Sequence, residues 1–527
     1  MAVGDVEDIR TVGLTMSALQ KTHELYQIYS DEWTFLQAAY NGAKDLVAYG
    51  AIVQHERESN VNYDRRIDEA YGLSYSKSIV ELFNFYLFKE PVKRDLGKLG
   101  KDELWDLFTN DCNLDQDDFD EFLLGAGKAS SIQGQCGILV DKPNTDNVQV
   151  RSDEIQKKTY PYVSLYKSLA ILDWEYERDE YNRPRLTYLK VIDDDDLYRI
   201  WTLEKWEIWK EPEDAEEMVR TKGDKVKQEI QAELVDEGVN PLGEIPFVWL
   251  YNAKTGLRGL GMSDISDIAR IDSSIMRNLS EIEEIITFGA FPMMRKPYKG
   301  QGQSGIEEDL LGIAAILEFD PEFPESKPDW LEAKVAEPID AILKVISKKI
   351  EEIYRTANAG GMSSMEVSTQ AKSGTALKAE FHLLNAKLVS KGILLEKAET
   401  AVIRLWLKWQ AQEALMDEVE IERARTYEVE QLATSLENVL TSTVIVTDSE
   451  TYKKKIQKKT VRMMLPGEPD DELSIMDKEI DETEYVDEYT LPDDPVPGEG
   501  NIPGANNIPG ANNKQQPDNK VTQFPKK

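Results

Sequence analysis

Apolar residues recur every three or four positions over long stretches of the middle of the chain, which is the period of an α-helix with one buried face. Ile265, Ile268, Ile271, Ile275, Leu279, Ile282 and Ile286 form the first stripe, with Ser263 as the N-cap and Gly289 and Pro292 as the stop. They predict a helix of about 25 residues, roughly 38 Å long. Pro338 suits the first turn of a second helix, whose stripe is Ile339, Ile342, Ile346, Ile350, Ile353 and Ala357. The third and longest carries Leu377, Phe381, Leu384, Leu388, Leu395, Ala398, Val402, Leu405 and Trp409 at near-heptad spacing, with Gly392 predicted as a kink. Residues 291–330, between the first two helices, are rich in Pro and Gly and read as a compact insert. Residues 358–370, NAGGMSSMEVSTQ, have no period and read as a loop.

Residues 1 to about 130 also read as helices joined by short loops. Stretches 33–46, 74–88 and 104–124 are helical in pattern, the second ended by Pro91. From Gln135 the period changes to short β-branched and aromatic runs, QCGILVD, YPYVSLYKSLAILDWEYE and RPRLTYLKVI, parted by turn residues. LYRIWTLEKWEIWKE alternates Ile200, Thr202, Trp206 and Ile208 against Trp201, Leu203, Glu207 and Trp209, the pattern of a hairpin or meander. This block predicts an α+β domain ending near IPFVWLYN. Acidic residues dominate 471–494, and IPGANN occurs twice in succession at 502–513, so residues 471–527 read as an acidic, largely disordered tail. The fold class is α+β and mainly helical.

The chain has 527 residues and a net charge of −36, which disfavours general coating of nucleic acid through a basic surface. Cys112 and Cys136 are its only cysteines, too few for a disulfide framework and in keeping with a reducing compartment. Neither a signal-peptide core nor an apolar run of membrane-spanning length is visible, so a non-membrane protein made in the cytoplasm is expected. His23, His55 and His382 share no ligand spacing, and Ser59 stands where a zinc-protease helix needs its second histidine. Gly125-Ala126-Gly127-Lys128 is similar to a phosphate loop, but Phe122 replaces its first glycine and Ala129 its Ser or Thr. Asp115, Asp117, Asp118 and Asp120, and the run Asp193 to Asp196, are the only enzyme-like clusters. Solvated turns account for them better than metal-dependent phosphoryl transfer does. No catalytic residue, metal site or cofactor is expected.

The order of these parts resembles the portal proteins of tailed bacteriophages, as do the local sequences at 160–177, 240–252, 261–284 and 373–399. The resemblance implies a portal fold: residues 1–260 the wing, 261–288 and 337–357 the two stem helices, 289–336 the clip, 358–372 the tunnel loop, 373–412 a long kinked wing helix and 413–470 a helical crown. It further implies a homo-oligomeric, dodecameric ring at one capsid vertex of the virion, assembled in the host cytoplasm. Such a ring works with the major capsid and scaffolding proteins, docks the large terminase subunit and then a head-tail adaptor protein, and conducts double-stranded DNA. Lys344, Lys348, Lys349, Arg355, Asn358, Gly360, Gly361, Ser363, Ser364 and Lys372 are then candidates for the channel wall, and Met293, Met294, Arg295, Lys296 and Tyr298 for docking in the clip. An acidic chain suits such a pore, because each cation–phosphate contact would retard sliding. The competing readings are a helical capsid scaffold or adaptor without a pore, and a metal-dependent phosphotransferase or nuclease.

Overall fold

Local capping chemistry divides the N-terminal region into more helices than the apolar pattern alone suggests. The computed structural model describes residues 14–56, 58–143, 151–193, 197–212, 230–289, 293–295, 329–331, 335–358, 374–427, 450–464 and 470–482. α1 (Met16–Leu19) is one turn capped by Thr15, and α2 (Glu24–Asn41) begins at His23, whose ring nitrogen accepts the Leu25 N–H at 3.1 Å. Gly42, at φ +110°, ends α2 and opens α3 (Ala43–Ala48), so the stretch expected over 33–46 is two helices. α4 (Asn60–Asp68) and α5 (Tyr75–Phe88) follow, then a short strand, β1 (Lys93–Asp95). The stretch expected over 104–124 is also two helices, α6 (Glu103–Asn110) and α7 (Phe119–Gln133). Their caps Asp102 and Asp118 accept the N–H groups of Leu104 and Glu121 at 3.0 and 2.8 Å.

The change of period at Gln135 is a change to strands. After β2 (Gln135–Asp141) and α8 (Arg151–Lys157) come β3 (Tyr162–Lys167), β4 (Ile171–Arg178), β5 (Pro184–Ile192), β6 (Leu197–Thr202), β7 (Lys205–Lys210), β8 (Glu233–Val239) and β9 (Phe247–Tyr251). β3, β2 and β9 make one antiparallel sheet with β2 in the centre. β4 to β8 make a second, meandering sheet in which Trp201 faces Trp206 across the expected β6–β7 hairpin. β2 is buried along its whole length yet still alternates. Cys136, Ile138 and Val140 join the core under α7, while Leu139 joins the cluster of Trp174, Leu189, Val191 and Trp201 from the second sheet. Gly137 leaves room for an aromatic ring, since a Cβ there would lie 2.0 Å from Phe247.

The two isoleucine stripes become α9 (Ile268–Gly289) and α10 (Ala336–Thr356), with two short strands between them, β10 (Met293–Arg295) and β11 (Asp329–Leu331). α9 starts five residues later than its predicted cap. The Ser263 hydroxyl instead holds the turn before the helix, accepting the Ile265 N–H at 3.0 Å and donating to the Ile132 carbonyl at 2.6 Å. Pro338 lies in the first turn of α10 as its chemistry requires. Of the insert expected over 291–330, only 293–295 and 329–330 are among the described residues. α11 (Gly374–Trp409) is a single helix of 36 residues. Gly392, expected at a kink, lies within it where Tyr427 packs close: a Cβ there would be 2.5 Å from the Tyr427 hydroxyl. The stretch expected to open a crown at 413 returns toward the N-terminal region, and β12 (Glu420–Glu422) pairs antiparallel with β1.

The chain divides into two compact units, Met1–Glu428 and Val429–Lys527. In the second, α12 (Glu450–Met464) lies beside α13 (Asp470–Glu482). Residues 471–482, expected to begin a largely disordered tail, are therefore helical. Leu473, Met476 and Ile480 keep a helical period among the acids, and α12 supplies opposing cations. Residues 483–527, including the IPGANN repeat, lie outside the described residues.

Candidate functional site

α9 and α10 form an antiparallel helical hairpin. Val335, just before α10, packs where a Cβ on Gly289 at the end of α9 would be, and farther along Lys349 of α10 reaches Ser274 and Asn278 of α9. The stripes meet: Ile275, Leu279 and Ile282 share one buried cluster with Ile346, Ile353 and Ala357. Beyond the helices the strands continue the hairpin, Met293, Met294 and Arg295 pairing with Leu331, Trp330 and Asp329. Three of the five docking candidates are thus on one strand of this ribbon. Lys296 and Tyr298 lie outside the described residues.

The channel candidates on α10 separate into two groups. Lys344, Lys348 and Arg355 are on its exposed face. Lys348 pairs with Glu351 at 2.6 Å and Arg355 with Glu352 at 2.6 Å, both within the helix, and Glu351 and Glu352 hold Lys348 above its ordinary range. Lys349 points inward instead, donating to the Ser274 hydroxyl at 2.8 Å and to the Asn278 side-chain carbonyl, and burial lowers its pKa. It clamps the two helices together and offers no charge to the exposed face. Asn358 follows the helix with φ +57° and is exposed. Gly360, Gly361, Ser363, Ser364 and Lys372 lie outside the described residues. Along α10 four acids balance four bases, and along α9 four acids outnumber two bases. The hairpin is therefore neutral to acidic, and on α10 two of its three exposed cations, Lys348 and Arg355, carry their own counter-charges.

Buried charges that periodicity did not single out anchor this hairpin. Asp264, just before α9, is buried against Lys391 of α11 and lies 3.1 Å from Lys387, and Lys391 also donates to the Ser131 hydroxyl of α7 at 2.8 Å. Burial works to raise the Asp264 carboxyl, and the two ammonium groups outweigh it and hold it below the ordinary aspartate value. Farther along α11, buried Glu399 is shared by Arg94 at 2.5 Å and Arg423 at 2.6 Å, which ties α11 to β1 and to the segment after β12. Glu244, before β9, meets Arg404 at 2.8 Å and Lys408 at 2.6 Å. These cations overcome burial and bring its pKa down to about 2. The signal in the sequence was a charge at a stripe position: Lys391 falls in heptad register between Leu388 and Leu395.

The enzyme-like features are held in structural contacts. Asp118 is a helix cap, Asp117 accepts from Asn113 at 2.8 Å, and Asp120 pairs with Arg94. Asp193 pairs with Arg199 at 2.7 Å and accepts from Tyr166, while 194–196 lie outside the described residues. Gly127 and Lys128, which suggested a phosphate loop, are inside α7. Lys128 pairs with Glu81 at 2.8 Å, and Gly127 packs against Asn84 and Phe88 of α5. Burial pushes the thiols of Cys112 and Cys136 well above the ordinary range. Among the described residues no helix is long and apolar enough to cross a membrane, and no group of three or more His, Cys, Asp or Glu is placed to hold a metal ion.

The sequence matches no protein-family model and no curated protein. Among solved structures, the chain is similar to one from the neck of an empty GTA particle computed with C6 symmetry, at 11% identity and a TM-score of 0.42, covering 76% of this chain and 94% of that one. It is also similar to a chain from the virion of a native gene transfer agent (GTA) particle, at 11% identity and a TM-score of 0.40, covering 81% and 99%. A third likeness is to a chain from the neck of a native GTA particle computed with C12 symmetry, at 11% identity and a TM-score of 0.37, covering 71% and 85%.

Proposed function

We propose that this chain is a portal-type subunit of a phage-like virion, which assembles as a closed ring at one capsid vertex and conducts double-stranded DNA. In this reading α9 and α10 are the stem, the β10–β11 ribbon opens the clip that meets the packaging motor and later the head-tail adaptor, and the chain itself catalyses nothing. The distant likeness to GTA chains is not what carries the proposal. The observation that carries it is the charge arrangement on the hairpin. A conduit for a polyanion must neither bind it tightly nor repel it so strongly that entry fails, and each free cation–phosphate contact adds salt-dependent affinity. On α10, Lys348 and Arg355 are each paired to a neighbouring carboxylate, Lys349 is turned away, and of the exposed cations only Lys344 has no ion pair among the described residues. That face offers weak contacts that exchange easily with solvent ions.

Negative-stain electron microscopy of the purified chain, with a mass measured in solution, tests the proposal. Rings with an axial hole are the expected result. Monomers or dimers at all concentrations would sink it and favour a helical adaptor without a pore.

A further inference from the structure

The second compact unit holds a concentration of charge that stands apart from the hairpin. In a chain of net charge −36, α12 carries six bases and one acid, and α13 carries seven acids and one base. Lys454, Lys458 and Arg462 are four residues apart, so they form one row on one face of α12 in steps of about 6 Å. α13 covers that row. Arg462 pairs with Asp477 at 2.7 Å, Lys458 pairs with Asp481 at 2.7 Å, and Lys454 donates to the Asp481 backbone carbonyl at 2.7 Å, in the last turn of α13 where carbonyls lack helical partners.

We propose that α12 is a binding element for the phosphate backbone of duplex DNA and that α13 is its intramolecular competitor, an acidic helix laid along the row that the phosphates would occupy. The inference concerns the second unit and holds whether or not the chain forms a pore. A duplex presents one negative charge about every 1.7 Å of its axis, so each cation in a row stepped at about 6 Å finds a phosphate. The competitor is weakly held, because Arg462 and Asp481 keep more than half of their side-chain surface in water, and half-exposed ion pairs contribute little. The net negative charge of the whole chain does not decide the matter. At physiological salt the Debye length is about 8 Å, so only charges near the row act on a phosphate there.

The test is anisotropy of a labelled 30-base-pair duplex, titrated with the full-length protein over a range of salt concentrations. D477N/D481N removes two carboxylates and leaves the cations. It is expected to tighten binding about tenfold at 0.1 M salt and to steepen the plot of log K against log salt by about 2, the slope for two freed phosphate contacts. Adding K454Q/K458Q/R462Q is expected to abolish the gain, with far-UV circular dichroism unchanged as the control for folding. An unchanged affinity and slope in D477N/D481N would overturn the proposal. So would a gain that survives loss of the three cations.

Discussion

The Asp272 carboxylate of α9 accepts both the backbone N–H and the hydroxyl of Ser76 at 2.8 Å, so α5 is capped by a neighbouring helix. Its own N-cap residue, Ser74, is in the left-handed region at φ +52° and makes no side-chain cap. One contact therefore fixes the start of α5 and docks the first hairpin helix onto the N-terminal helices.

Burial of Asp272 raises its pKa, against the lowering effect of the bonds from Ser76. Between the ordinary aspartate value and the raised one the folded state binds more protons than the unfolded state, so this group's contribution to stability falls as pH rises through that window. Asp272→Asn keeps an acceptor for the Ser76 N–H and removes the ionisation. It is expected to match or exceed the parent's stability at pH 7 and to flatten this part of the pH profile. Asp272→Ala strands the Ser76 N–H in the interior and is expected to cost about 1–3 kcal/mol. Denaturant midpoints at pH 5 and pH 7 check both, and a large loss in the Asn variant would contradict the account.

Asp264 carries the opposite sign. Its folded pKa lies below the ordinary value, so its stabilisation is present above that value and is lost as pH falls through the folded one. Removing one member of a buried pair costs more than removing both, because an uncompensated charge stays behind. Lys391→Met is expected to cost about 3 kcal/mol, at the low end of the usual range because Lys387 remains 3.1 Å from Asp264. The D264N/K391M pair should recover most of that loss and lack the acid-sensitive limb. A double variant no better than Lys391→Met alone would count against the pairing.

The parts that were legible in the sequence are those in which one period serves one buried face. The isoleucines of α9 and α10, the heptads of α11 and the alternation through β6 and β7 all depend on neighbours a few residues away. What was not legible depends on partners far along the chain. Lys391 takes a stripe position of α11 because Asp264 stands opposite it, and Asp272 sits four residues from Ile268 on the apolar face because its partner is the start of α5. α13 looked unfoldable because its acids cannot offset chain entropy alone, and α12 supplies the missing charge. The β1–β12 pair consists of two three-residue strands without an apolar run, and no local pattern announces it.

Gly392, read from the sequence as a kink, has a close neighbour that accounts for the glycine. A glycine inside a helix costs up to about 1 kcal/mol relative to alanine, so something must require it. That requirement is the Tyr427 hydroxyl, which is buried without a hydrogen-bond partner among the described residues and would lie 2.5 Å from an alanine Cβ. Gly392→Ala alone is expected to destabilise. With Tyr427→Phe the next ring atom is 3.6 Å away, an ordinary contact, so the same substitution should then stabilise by up to about 1 kcal/mol. The double-mutant cycle reads this coupling directly, and additive effects would remove the explanation.

The hairpin's charge arrangement leads to a functional prediction. Glu351 and Glu352 neutralise Lys348 and Arg355 on the exposed face of α10. If that face borders a DNA path, E351Q/E352Q frees two cations without touching the apolar stripe that holds the helices together. Exposed pairs of this kind contribute little to stability, so folding and assembly should change little. Two new phosphate contacts should steepen the salt dependence of DNA binding by a slope of about 2 and slow DNA movement through a packaging particle. Lys349→Met is the control, because its loss of the bonds to Ser274 and Asn278 loosens the hairpin with no added affinity for DNA. Equal salt slopes for the parent and E351Q/E352Q would place this face away from the DNA.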